Sequence, residues 1–123
     1  MNYEAMSDFE INNAVGEAIF GESLEDGFEF EWRKASSLFE GSEAAELFIH
    51  NGSGFYREAS VDYCNNPADM WSIIVGSGIS LLQQDNGEGW CAFRWDNDDA
   101  ESWHINPLRA AATVYLKMME QKK

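Results

Sequence analysis

From Leu108 to about Gln121 the chain carries a helical pattern with almost no polar face. Leu108, Ala110, Ala111, Ala112, Val114, Tyr115, Leu116, Met118 and Met119 surround the helix axis, while polar side chains fall chiefly along Arg109, Thr113 and Lys117 at i, i+4 and i+8. A helix apolar on nearly all sides has to be buried, so other parts of the molecule must wall it in. Two arrangements satisfy that demand. The helix is central to the chain's own core, or its second apolar face packs against another subunit. Asn106 before Pro107 starts it, since Asn caps a helix well and Pro is preorganised for the first helical position.

Material for such a wall is present. Hydrophobic residues make up 45% of the 123, with five Trp and eight Phe, and a chain of this length buries roughly two thirds of its unfolded surface. One domain, residues 1–123, is expected. A second helix is predicted over residues 8–20, where Ile11, Ala14, Val15, Ala18 and Ile19 share a face; Ser7 and Glu10 form a capping-box pattern and Gly21 is placed to close the helix in a left-handed conformation. A third begins at Asn66-Pro67-Ala68-Asp69 and is expected to run to about Val75 and stop at Gly76.

Between the helices, Phe28-Glu29-Phe30-Glu31-Trp32 alternates as a half-buried strand, with three aromatics on one face and two carboxylates on the other. The span 36–54 is ambiguous between helix and strand: Ser42 to Ile49 fits a short helix, residues 50–54 read as a turn, and residues 55–63 as a strand. Ile79 to Gln83 and Trp90 to Trp95 form a hairpin about the turn residues 85–89, and Asp96 to Glu101 follow as an acidic loop. The expected architecture is α+β, a small antiparallel sheet covered on one side by about three helices.

Charge is the other constraint. Net charge is -14, and it is uneven: residues 1–32 hold nine acids and no Lys or Arg, whereas residues 102–123 carry Arg109, Lys117, Lys122 and Lys123 against Glu120 alone. Such a field repels nucleic-acid backbones and anionic membranes and favours a basic protein partner. No apolar run approaches the ~20 residues that span a bilayer, and Asn2-Tyr3-Glu4 stand where a signal peptide would place basic residues, so a cytoplasmic location is expected. Cys64 and Cys91 sit in unlike contexts and read as reduced, buried thiols.

Several blocks taken together resemble a known group. They are Tyr3, then Met6 to Asn12, Asp62 to Asp69 with Trp71, Ile73 and Ile74, Ile79-Ser80, Trp90-Cys91, and Asn106 to Ala111. In combination they are similar to the NinX-like proteins of lambdoid phages, a family without an assigned function. The resemblance implies a phage or prophage origin and action in the bacterial host cytosol, and it supplies no catalytic residues. Residues from Glu22 to about Ser60 and the acidic loop near Asp98 match nothing in it. Most of what the matching blocks specify is helix capping. Arg109 is the exception, because a cation in the first turn opposes the helix dipole unless a carboxylate holds it.

Chemistry finds little support. His50, Cys64, Cys91 and His104 have zinc-ligand atoms but occur singly, whereas zinc ligands arrive in close pairs. Asp96, Asp98, Asp99 and Glu101 lack the Gly and distant Glu of a calcium loop, whose places here are Glu101 and Pro107. Gly76-Ser77-Gly78 follows a helix and has no Walker Lys, and no Ser, Cys or His sits in a nucleophile elbow. The five Trp residues are expected in the core, since base-stacking platforms lie in basic grooves and only Arg94 is basic between Glu58 and Glu101. The expectation is therefore no enzyme, no catalytic residue, no metal and no cofactor.

Two functions from different classes remain. In one, carboxylates on a rigid scaffold imitate the charge of DNA and occupy the basic cleft of a host or phage nucleic-acid-binding or defence protein, with Glu22, Glu25, Asp26, Glu29, Glu31, Asp96, Asp98 and Asp99 as contact residues. In the other, the apolar C-terminal helix makes the chain a homo-oligomer or an accessory structural subunit.

Overall fold

The structure, a computed structural model, describes residues 2–21, 29–34, 43–50, 54–84 and 87–122, with the backbone alone for Asp98 and Asp99. A single 3-10 turn (Tyr3–Ala5) precedes α1 (Asp8–Phe20), β1 (Glu29–Lys34), β2 (Ala45–His50), β3 (Phe55–Val61), α2 (Pro67–Ser77), β4 (Ser80–Gln83), β5 (Trp90–Arg94), β6 (Asn97–His104) and α3 (Pro107–Gln121). The α+β class, the antiparallel pairing and the three helices are as expected. Among the described residues the strands divide between two three-stranded sheets, β1-β2-β3 and β4-β5-β6, where one sheet was expected.

Helix α3 is the centre of the molecule. Arg109 to Leu116 and Met118 are all buried, against β4, β5 and β6 on one side and α1 and α2 on others. Its apolar circumference is thus used by the chain's own core, the first of the two arrangements that the pattern allowed. Helix α1 bridges α3 and the other sheet, burying Ile11 and Val15. It approaches β1 closely at Gly16, where an added Cβ would lie 2.4 Å from Cη2 of Trp32, so only glycine lets that indole lie flat on the helix.

The helix boundaries follow from their caps. Ser7 and Glu10 form the predicted capping box, with reciprocal bonds of 3.1 Å. Gly21 does not turn left-handed as expected. Its φ of -57° is right-handed, because its N–H completes one more helical bond, to the Glu17 carbonyl. Helix α2 runs to Ser77, two residues past its expected end at Val75 and through the expected stop at Gly76. It is Gly78 that takes the left-handed conformation (φ 66°), and the N–H of Ile79 reaches back to the Ile74 carbonyl at 3.0 Å, a Schellman closure with both isoleucines in the core.

Two ambiguous or misread segments are strands. Ala45, Leu47 and Ile49 are buried on β2, with Glu46 buried between the first two, and β2 is the central strand, paired with both β1 and β3, which makes residues 45–49 strand rather than helix. The expected loop from Asp96 to Glu101 is instead a tight turn at Trp95 and Asp96 followed by strand β6, in which Ala100 and Ser102 point into the core. A run of acidic residues looked like solvent-exposed coil, but alternation leaves every second position free for a carboxylate while its neighbours are buried. Phe28 and residues 51–53 lie outside the described residues.

Candidate functional site

The densest polar cluster joins segments far apart in sequence. Arg109, 4% exposed, donates from Nη1 to Asp8 Oδ1 at 2.7 Å and from Nη2 to the carbonyls of Tyr3 (2.9 Å) and Met6 (2.7 Å). The carboxylate demanded by the dipole argument is therefore Asp8, at the opposite end of the chain. Asn106 caps α3 through Oδ1, accepting from Leu108 N at 2.9 Å, and its amide donates to the Cys64 carbonyl at 2.6 Å. Asn12, fully buried, donates to Asp62 Oδ1 and to the Glu43 carbonyl, both at 2.9 Å, and accepts from Cys64 N at 3.1 Å. Asp69 holds the N–H of Asp62 at 2.9 Å.

The polar line along α3 belongs to the same seam. Thr113 Oγ1 donates to the Arg109 carbonyl at 3.0 Å, and Lys117 Nζ donates to Glu4 Oε1 and the Glu101 carbonyl, each at 2.7 Å. Lys117 holds the Glu4 carboxyl below its usual range. These groups are spent on the chain's own backbone and caps. Cys64 is fully buried, and burial, with Asp8 adding to it, pushes its thiol up to about 12, so it is a thiol rather than a nucleophilic thiolate at neutral pH. Burial raises Tyr63 and Cys91 likewise. Both cysteines are free and buried, as expected.

His50, Cys64, Cys91 and His104 are not brought together. His50 ends β2 in edge-to-face contact with Phe55, Cys91 lies on β5, and His104 Nδ1 accepts the N–H of Asn106 at 2.9 Å. Among the described residues no three His, Cys, Asp or Glu side chains are grouped to hold a metal.

The carboxylates proposed to meet a partner fall on two sheets. Glu29 and Glu31 are exposed on β1, an edge strand, and Glu31 accepts from Arg33 Nη2 at 2.8 Å, which lowers its pKa. Asp96 is exposed at the turn before β6 and accepts from Arg94 Nη2 at 2.9 Å. Asp98 and Asp99 lie on β6, and Glu22, Glu25 and Asp26 fall outside the described residues. The same bookkeeping covers most of the cations. Lys34 pairs with Glu43 at 3.3 Å, Arg57 with Glu46 at 3.0 Å, Arg109 with Asp8 and Lys117 with Glu4.

The aromatic residues depart furthest from expectation. Trp71, Trp95 and Trp103 are 64%, 80% and 55% exposed, with Leu82, Val75 and Ile105 also exposed. An open cleft of about 260 Å³ lies where β5 begins and β6 ends, lined by Gln84, Glu88, Gly89, Trp90, Trp103, His104 and Ile105. The alternation of Glu101, Ser102 and Trp103 carried the information, but it was hidden by reading the acidic run as a loop. No helix among the described residues is long and apolar enough to cross a membrane.

Fold and cluster together define a small acidic α+β protein whose helices are locked around a buried arginine. The chain belongs to the bacteriophage P22 NinX family, whose model it matches over residues 2–119, far beyond the blocks that carried the resemblance. Membership makes it a phage protein and brings no activity with it. Comparison with curated proteins and with solved structures finds no match.

Proposed function

We propose that this phage protein is a protein-binding module whose carboxylate surface engages a basic, nucleic-acid-binding or defence protein of the phage or its bacterial host, imitating the charge of a DNA backbone in the cytoplasm. The observation that carries this reading is the fate of the cations. Arg33, Lys34, Arg57, Arg94, Arg109 and Lys117 are each tied to one of the chain's own carboxylates, so none of these six is left over to offset the remaining acids, which number 22 against eight bases in the whole sequence. A fixed array of this sign concentrates near basic clefts and is repelled by nucleic acid itself.

Affinity capture from host lysate, at about 0.05 M and 0.5 M salt, followed by challenge with duplex DNA, tests the proposal. A captured basic protein should be released by salt and by DNA, and should be lost when Glu29, Glu31 and Asp96 are changed to Gln or Asn. Retention through salt, DNA and those changes would overturn it. The burial of α3 within its own chain removes the observation that had favoured a homo-oligomer or accessory subunit built on that helix.

A further inference from the structure

The sheet β4-β5-β6 has one face on α3 and another that carries exposed apolar side chains. Register separates the two. Leu81, Ala92 and Ser102 stand in one cross-strand row and belong to the face packed on α3, while Leu82, Cys91 and Trp103 stand in the row on one side of it and Ser80, Phe93 and Glu101 in the row on the other. Alternation places these last two rows together on the outer face. Leu82 is 58% exposed and Trp103 55%, and neither row contains Lys or Arg. Trp103 Nε1 donates to Glu101 Oε1 at 2.8 Å, which fixes the indole against the strand and places a carboxylate beside it. Trp103 also lines the cleft, as does Glu88.

We propose that this outer face seats a cationic amphipathic segment of the basic partner, with apolar side chains on Leu82, Phe93 and Trp103 and a Lys or Arg directed at Glu101 and into the cleft. The inference rests on the protein-binding reading above and names its anchor. Charge selects the occupant. A second copy would bring another net charge of -14 and a second Glu101 against this face, and a nucleic acid would bring phosphates, whereas a basic segment gains on both the apolar and the electrostatic count. An indole hydrogen-bonded to a carboxylate is also a favourable surface for a cation lying over its ring.

The test uses two labelled helical peptides of equal positive charge, roughly 18 residues or five turns long, one of Lys and Leu in amphipathic order and one with Ala in place of Leu. Binding to the full chain is followed by fluorescence anisotropy at low salt. The Leu peptide should bind about tenfold more tightly, since burying one large apolar side chain is worth that much or more. Combined L82S and W103S substitutions should abolish the difference between the two peptides, while W71S with V75S on α2 should leave both affinities unchanged; the substituted sites are exposed, and circular dichroism confirms folding. A Leu preference that survives L82S and W103S overturns the anchor and leaves the acidic reading standing. Failure of both peptides to bind overturns the anchor and the acidic reading together. A dimer of the chain alone that W103S dissociates makes the occupant a second copy and also overturns the proposal.

Discussion

Arg109 stands in the first turn of α3, where the positive end of the helix dipole opposes a cation, and it is almost wholly buried. What holds it there are three acceptors: one carboxylate and two carbonyls. Removing either partner strands the other in a low-dielectric site. R109M should therefore destabilise the protein by about 3–5 kcal/mol in urea unfolding, and D8N by a smaller amount because Asp8 retains partial access to water. The need for an acid near Arg109 was legible from dipole physics alone. Its identity was not, since sequence patterning says nothing about a partner 101 residues away.

His104 offers a pH-dependent prediction at the same scale. His104 is exposed; partial desolvation, then the nearby Arg109, lowers its pKa from 6.5, with Asp8 opposing, and Nδ1 must be unprotonated to accept the Asn106 N–H. A folded-state pKa below the unfolded value means that the neutral form is favoured by folding. Its contribution is complete above pH 6.5 and is lost as pH falls through the lowered folded value. Urea midpoints should fall between about pH 7.5 and 5.5, and H104N, which keeps an acceptor but cannot titrate, should flatten that fall.

At the scale of elements, caps were legible and strand assignments less so. Ser7-Glu10, Asn66-Pro67 and Asn106-Pro107 start their helices as local chemistry dictates, because a cap needs only neighbours within three residues. Residues 45–50 and 97–104 were harder: a strand's identity depends on the partners beside it, and composition alone left the first open between helix and strand and read the start of the second as coil. Two glycines test the geometry. G78A, forced to keep φ of 66°, should cost about 1 kcal/mol. G16A drives a methyl into the ring of Trp32 and should cost about 1–3 kcal/mol, with a shift in tryptophan fluorescence that a surface alanine would not produce.

For the whole molecule, charge and apolar exposure are coupled. A surplus of 14 negative charges repels itself most when the chain is compact, so screening should raise stability. The thermal midpoint is expected to rise between about 0.02 M and 0.5 M sodium chloride, and a fall would mean that the internal ion pairs outweigh self-repulsion. Sequence located the surplus of acids but not its arrangement: Arg33 with Glu31 and Arg94 with Asp96 are only two residues apart, whereas the pairing of Arg57 with Glu46 is decided by how β3 lies on β2.

The clasp between Arg109 and the first residues has a temporal consequence. During synthesis at roughly 5–20 residues per second, α1 emerges and waits about 5–20 s before the side chain that secures its start has been made, 101 residues later. Throughout that interval Ile11 and Val15 have no α3 to cover them. The newborn chain is thus held in reserve, and its earliest helix is among the last parts to be locked.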